Sequence, residues 1–203
     1  MVYVVDDEAP IRRALTRLLR SEGLRVQSFA SAEDLLLAAQ PDEAPTCLVV
    51  DLRMPGLSGL DLQDFLLQQG LEMAIVFISG LASVESGIRA MKGGAVDFLE
   101  KPVSDDALLG AVRRALDQDR QRRAQQADRA LLRSRFETLT PRERDVFGLI
   151  VTGLLNKQVG AELGAAEKTI KVHRARVMQK MEAGSIAELV RMADRLGQPR
   201  ASG

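Results

Sequence analysis

Cysteine is almost absent. Cys47 is the sole one in the 203-residue chain, which excludes an internal disulfide and a multi-cysteine zinc site and points to a reducing, cytoplasmic setting. Histidine also occurs once, as His173, so that residue reads as a packing or phosphate-adjacent group rather than a metal ligand. Long hydrophobic runs are missing. The longest, Met73 to Ile78, has six residues, whereas a membrane helix needs about 18 or more, so no membrane partner is expected. The opening MVYVVDDE places acids at 6 to 8 with no basic segment ahead of a long apolar stretch, and a signal peptide is not expected there. What is present is ordinary for a globular, water-soluble protein: 46% hydrophobic and 28% charged residues. Disorder over the whole chain is excluded, because there is enough apolar side chain to build a core.

The formal net charge of zero hides a polarity. Residues 1–110 carry nine Lys/Arg against 17 Asp/Glu, residues 111–135 carry eight against three, and residues 136–203 carry 11 against eight. An acidic front and a basic back suggest two domains with different partners.

The front half alternates short apolar runs with amphipathic stretches. Strands are predicted over Val2–Val5, Leu24–Phe29, Cys47–Val50, Met73–Ile78 and Val96–Leu99, and helices over about 9–22, 31–39, 58–70, 83–92 and from 105 onward. Ser31 with Asp34 is a capping pair for the second helix. Runs such as CLVV and MAIVFI are apolar at every position, as expected of parallel strands covered on both faces. Five strand–helix units make a doubly wound α/β domain, in which function collects at the carboxyl ends of the strands. From Ser104 to Leu139 there is no proline and only Gly110. Residues 105–135 therefore read as a last helix running on into an exposed helical linker of roughly 45 Å at 1.5 Å per residue, with a coil after about residue 120 as the other reading. The back third has no strand pattern. Thr140-Pro141-Arg142-Glu143 is a helix start, Asn156 is expected to cap a short helix ending before Gly164, another helix should run over about 167–182, and Ser185 with Glu188 opens a final one. The predicted boundaries are 1–118, a linker over 119–135, a four-helix domain over 136–197 and a disordered tail over 198–203.

Asp6 and Asp7 follow the first predicted strand and Asp51 the third. Strand ends of a parallel sheet lie side by side, so three carboxylates should converge in one crevice. Such a cluster is costly unless a cation relieves the repulsion, and oxygen-only ligands favour Mg2+. Ser79 follows the fourth strand and Lys101 the fifth. A carboxylate nucleophile, a metal, a hydroxyl and a lysine around one point can support phosphoryl transfer to an aspartate, with the metal and Lys101 neutralising charge on the phosphoryl oxygens.

The segments VVDDE at 4–8, DLRMPGLSGLDL at 51–62, ISG at 78–80 and AMKGGAVDFLEKP at 90–102 resemble the receiver domain of bacterial two-component response regulators, over about residues 1–118. The resemblance implies a five-stranded parallel sheet in the order 2-1-3-4-5. It implies that Asp51 is the phosphoacceptor and that Asp7, Asp51 and the main-chain carbonyl of Arg53 hold Mg2+, with Asp6 acting mainly through a bridging water. Lys101 would bind a phosphoryl oxygen, Ser79 would move in to hydrogen-bond another, and Phe98 would be the aromatic switch. A cis Lys101–Pro102 bond is expected. Ser79 stands where Thr is commoner, and Leu81 lies where a side chain flanks the path of attacking water. An apolar Leu81 cannot orient water, so slow self-dephosphorylation is expected. Haloacid-dehalogenase-type phosphatases also use an Asp after a parallel strand, but they need a second Asp two residues on, where this chain has Arg53. The chain is therefore expected not to be a turnover enzyme, only to phosphorylate and dephosphorylate itself at Asp51.

Residues 139–181 have the helix–turn–helix rhythm: NKQVGAEL as the supporting helix, GAA as the turn, EKTIKVHRARVMQKM as the recognition helix. Residues 167–180 hold Lys168, Lys171, Arg174, Arg176 and Lys180 against Glu167 alone. Ile170, Val177 and Met181 recur at helical spacing and form the inward face. Lys168, Lys171, Val172 and Ala175 then face outward, with Arg174 and Arg176 near the rim, the layout of a helix entering a major groove. Lys and Arg supply phosphate neutralisation, and Val172 can meet a thymine methyl. The region resembles the LuxR/NarL-type DNA-binding domain over about 136–196, which implies phosphate contacts from Asn156 and Lys157. Ala165 and Ala166 replace the small hydroxyl residues often found before the recognition helix, so its start lacks a cap, and Ala175 replaces a longer polar residue. Over the full length the chain is similar to the FixJ/StyR group. The expected function is transcription control: a histidine kinase phosphorylates Asp51, the protein forms a homodimer on phosphorylation, and the dimer binds double-stranded DNA. A phosphorelay protein, or a constitutive regulator, whose C-terminal domain binds protein rather than DNA stays open at this point.

Overall fold

The computed structural model describes residues 1–38, 44–80 and 83–197. The chain divides into two compact units, Met1–Arg123 and Ala124–Gly203.

The first unit is built on five parallel strands, β1 (Val2–Val5), β2 (Val26–Phe29), β3 (Cys47–Asp51), β4 (Ala74–Ser79) and β5 (Asp97–Glu100), in the order β2-β1-β3-β4-β5. The helices between them are α1 (Ala9–Ser21), α2 (Ala32–Ala38), α3 (Gly59–Gln68) and α4 (Val84–Lys92), and α5 (Asp105–Glu137) follows β5. Side chains alternate across a strand, so each apolar run feeds two cores. Tyr3, Val5, Leu48, Val50 and Phe77 pack with Leu35, Leu62 and Ala90 on one face of the sheet. Val2, Val4, Cys47, Val49 and Val76 pack with Leu19 and with Leu108, Ala111, Val112 and Ala115 on the other. The doubly wound α/β reading holds.

Four of the five strands differ from their predicted bounds, and the shift of β2 has a local reason. β2 begins at Val26 rather than Leu24, because Gly23 turns left-handed (φ +76°) and the Leu24 N–H donates back to Leu19 O at 3.2 Å, so Leu24 belongs to the exit of α1. At the other end, β3 and β4 each run one residue further than predicted and end on Asp51 and Ser79 themselves. In register Asp51 lies opposite Ile78 and Ser79 opposite Glu100.

α5 is one helix of 33 residues. It is tied to the sheet end of the first unit by Asp119. That carboxylate is buried and accepts from Thr46 N at 2.8 Å and Arg123 Nε at 2.6 Å, and it also pairs with Arg122, which reaches Glu72 at 2.9 Å.

The second unit holds α6 (Pro141–Ile150), α7 (Asn156–Leu163), α8 (Glu167–Met181) and α9 (Ile186–Arg195) around Val146, Phe147, Ile150, Val159, Ile170, Val177, Met181 and Leu189. Thr140 and Glu143 close the expected capping box, with Pro141 at the first position. Asn156 does not cap α7. It is the first helical residue, and the cap position falls to Leu155, whose N–H is satisfied by Gln158 Oε1 at 2.8 Å. The glutamine three residues on satisfies the cap residue's own N–H, while Leu155 offers no side-chain acceptor to the first turn. Gly164 ends α7 at φ +61° as expected. Ser185 accepts from Glu188 N at 3.2 Å, but Glu188 reaches back to Gly184 N rather than to Ser185. The tail over 198–203 lies outside the described residues.

Candidate functional site: an acidic pocket and a basic helix

The carboxyl edge of the sheet brings Asp6, Asp51, Ser79 and Lys101 together. Asp51 and Ser79 are the last residues of neighbouring strands, and Asp6 follows β1 directly. All three are buried, at 6%, 1% and 1% exposure for Asp51, Ser79 and Asp6, where a lone carboxylate would be strongly disfavoured. Lys101 resolves this. Its Nζ lies 2.6 Å from Asp51 Oδ1 and donates to Asp6 Oδ2 at 3.0 Å, with Glu8 Oε1 at 3.4 Å. Its main chain is held too, by Lys101 N donating to Ser79 O at 2.7 Å. The Lys101–Pro102 bond is cis. Burial pulls the Lys101 ammonium down, but its bonds to Asp51 and Asp6 outweigh that and hold it above the ordinary lysine value. Burial pushes the Asp6 carboxyl up, and Lys101 offsets this only in part.

The remaining carboxylate oxygens meet main-chain donors. Asp51 Oδ2 accepts from Arg53 N at 2.7 Å, and Asp6 Oδ1 from Glu8 N at 2.8 Å. The Arg53 side chain is exposed. Gly59, at the start of α3, permits the helix to sit against the acceptor strand: a Cβ there would run into the Asp51 carbonyl and come within 3.1 Å of Phe77. Phe98 is half-buried, its ring stacked on Phe77 at 6.2 Å. Leu81 lies outside the described residues.

Asp7 departs from the expected convergence of three acids. It is exposed, and among the described residues no group of three or more His, Cys, Asp or Glu side chains is placed to hold a metal ion. The donor chemistry still fits Mg2+, which keeps several waters and takes one or two carboxylates rather than an all-protein cage: every ligand offered here is oxygen. Sequence reasoning missed Arg12. From α1 its Nη1 donates to Asp6 O at 2.6 Å and Asp7 O at 3.3 Å, pinning the loop that carries both acids. Its place one turn into the helix after an acidic pair was the available signal.

In the second unit, α8 turns Ile170, Val177 and Met181 inward, each fully buried, and leaves Lys168, Lys171, Val172, Ala175 and Arg176 exposed. The cap position, Ala166, makes no side-chain bond. Arg174 is half-buried and donates to Asn156 Oδ1 at 3.0 Å, so the first residue of α7 and the middle of α8 share one surface with the exposed Lys157. Lys180 is withdrawn from it: its Nζ donates to Glu143 Oε2 at 2.6 Å and to Thr138 O at 2.9 Å.

Residues 2–113 match the response regulator receiver domain family, and residues 137–193 match the bacterial regulatory proteins of the luxR family. The chain is 52% identical over 197 residues to nodulation protein W of Bradyrhizobium diazoefficiens, covering 97% of this chain and 86% of that one. It is 41% identical to the transcriptional regulatory protein FixJ of Rhizobium meliloti, covering 95% and 94%. Among solved structures it is similar to the response regulator StyR, with a TM-score of 0.85 at 42% identity over 96% of this chain and 98% of that one. Full-length FixJ from B. japonicum matches with a TM-score of 0.57 at 39% identity over 98% and 97%. Among the described residues no helix is long and apolar enough to cross a membrane. A lysine-bridged pair of acids at the sheet edge and a basic helix in a separate unit are thus carried by a chain that belongs to the two-component response regulators, a receiver domain followed by a LuxR-family DNA-binding domain that controls transcription.

Proposed function

We propose that Asp51 accepts a phosphoryl group from a phosphohistidine of a partner kinase and that the modified protein pairs with a second copy and binds promoter DNA. The observation that carries the acceptor assignment is the Lys101 Nζ at 2.6 Å from Asp51 Oδ1 in a pocket that also holds Asp6 and Ser79. In the transfer, a carboxylate oxygen of Asp51 forms the new bond to phosphorus as the bond to the kinase imidazole breaks. Lys101 moves its ammonium from the acids to a phosphoryl oxygen, where charge is greatest. Ser79 offers its hydroxyl to another oxygen. Phe98, stacked on Phe77 in β4, follows the movement at Ser79 two residues further along that strand. Asp7, Asp51 and the Arg53 carbonyl would hold Mg2+, which when bound supplies positive charge between the acids and the incoming phosphoryl group. Arg12 keeps the Asp6–Asp7 loop in place for this. The chemistry lies on Asp51 itself: the position two residues on, where a turnover phosphatase needs its acid, holds Arg53.

Pairing is supported by α4, which exposes Val84, Ile88 and Met91 at helical spacing, at 82%, 51% and 49%. DNA binding is supported by the exposed Lys168, Lys171, Val172 and Arg176, with Asn156, Lys157 and Arg174 alongside. A cytoplasmic protein with a cytoplasmic nucleic-acid partner accords with the single, buried, unpaired Cys47. The test is the affinity for a promoter fragment before and after treatment with acetyl phosphate, in wild type and Asp51→Asn. Phosphorylation should tighten binding only in wild type, with a steep loss of affinity as salt rises. Equal tightening in both proteins would exclude Asp51 as the acceptor, and the absence of salt-dependent binding to the fragment would favour a protein-binding C-terminal unit.

A further inference from the structure

Residues 52–58 join the acceptor to the first turn of α3, and they carry the main-chain groups nearest the reaction: the Arg53 N–H that donates to Asp51, and the Arg53 carbonyl assigned to the cation. The segment is irregular, so no ladder of bonds sets its shape. Its ends are held. Leu52 N donates to Ile78 O at 2.9 Å, Gly59 N donates to Leu52 O at 3.1 Å, and Ser58 caps α3 in a box with Asp61. The outer bend is fastened from a different element. Glu33, in the first turn of α2, accepts from Leu57 N at 3.0 Å across 24 residues of sequence. Gly56 admits the carboxylate: it sits at φ +77°, a region that L residues rarely enter, and a Cβ there would lie 2.7 Å from Glu33 Oε1. Bonds from its own N–H and from that of Leu57 hold the Glu33 carboxyl below the usual carboxylate range. The Leu57 side chain is packed against the core under β1 and β3, so a bond at its N–H fixes the bend relative to the sheet.

We infer that Glu33 is a positioning residue for phosphoryl transfer: by accepting from Leu57 N across the Gly56 bend it sets the Arg53 main chain relative to Asp51. This rests on Asp51 being the acceptor. The exposed glutamate acts through hydrogen-bond acceptance, and that makes the inference testable, because glutamine keeps a neutral acceptor at the same place.

The experiment uses the full-length protein and three variants, Glu33→Ala, Glu33→Gln and Asp51→Asn. Amide hydrogen exchange at Leu57 reads the tie directly, calorimetric titration with MgCl2 reads cation affinity with no phosphodonor present, and acetyl phosphate labelling at limiting and at saturating Mg2+ reads acceptor function. Glu33→Ala should lose protection at Leu57, bind Mg2+ about 2- to 10-fold more weakly, the range of one lost hydrogen bond, and label more slowly when Mg2+ is limiting. Glu33→Gln should lie between Glu33→Ala and wild type in both protection and Mg2+ affinity, since it retains a neutral acceptor. Unchanged Mg2+ affinity in Glu33→Ala despite a deprotected Leu57 would overturn the inference, as would a Glu33→Gln protein as weak as Glu33→Ala. Asp51→Asn separates the two levels: if it labels like wild type the acceptor assignment fails, whereas the Leu57 exchange and the glutamine rescue report on Glu33 alone.

Discussion

Asp119→Ala should cost the first unit about 3 kcal/mol. The side chain has no exposed surface and accepts from the buried Thr46 main chain at 2.8 Å, from Arg123 Nε at 2.6 Å and from Arg122. Deleting it leaves the Thr46 N–H orphaned, worth about 1–3 kcal/mol. It also takes one carboxylate partner from each of two guanidinium groups that are 26% and 31% exposed. Water takes up much of that loss and Arg122 keeps Glu72, so the ion pairs add only about 1 kcal/mol. For a unit of this size the sum corresponds to roughly 12 °C in Tm. Urea unfolding followed by tyrosine fluorescence is the assay, because the chain has no tryptophan and a single tyrosine, and Tyr3 is buried in β1. The pH dependence has a fixed sign. Burial pushes the Asp119 carboxyl up, but Thr46 and the two arginines outweigh it and hold it below its ordinary value. Its contribution is therefore fully present above the unfolded value of about 3.9 and lost as pH falls through the lower folded value. The gap between wild type and Asp119→Ala should be constant from pH 7 to 5 and shrink below about 4. A loss under about 1 kcal/mol at pH 7 would refute the argument that a buried donor is orphaned.

The acidic pocket carries the opposite linkage. Asp6 is held above its ordinary value by burial, so it lowers stability as pH rises through that shifted range. Asp6→Asn should raise the urea midpoint of the Tyr3 transition at pH 7 and weaken Mg2+ binding, with the stability gain fading toward pH 3.8, the ordinary carboxyl value. Gly59→Ala drives a Cβ into the Asp51 carbonyl. It should destabilise the first unit by about 1–3 kcal/mol and slow labelling of Asp51, read by urea unfolding and acetyl phosphate kinetics. On the DNA side, Lys171→Ala should reduce the slope of log affinity against log salt by about 1 with little change in stability. Lys180→Met should leave that slope unchanged yet lower the melting temperature of the second unit, because Glu143 loses its partner while nearly buried.

Strand-end chemistry was legible because it follows from local pattern plus one topological rule. Apolar runs mark parallel strands, and a residue just past such a run lands at the carboxyl edge of the sheet. That rule brings Asp6, Asp51, Ser79 and Lys101 to one edge from the sequence alone. The inward stripe Ile170, Val177, Met181 was equally plain from helical spacing. Polar ties between distant segments were not. Helical spacing from Val112 and Ala115 puts Asp119, unlike the exposed Asp117, on the inward face of α5, but it does not say that the carboxylate meets Thr46, 73 residues away. The same holds for Lys180, read as one of five equivalent basic residues until Glu143 is seen beside it. Asn156 misled for a different reason. Asparagine is a good cap by composition, but the neighbouring Gln158 could serve Leu155 from inside the helix, and helix starts are set by which bond closes rather than by residue type alone.

Borohydride reduction of the acyl phosphate, followed by peptide mass mapping, tests the acceptor assignment most directly. After treatment of the full-length protein with acetyl phosphate and Mg2+, the reduced product should map to residue 51 and disappear when EDTA is added. A product at Asp6 or Asp7, or one formed equally well without divalent cation, would contradict the account.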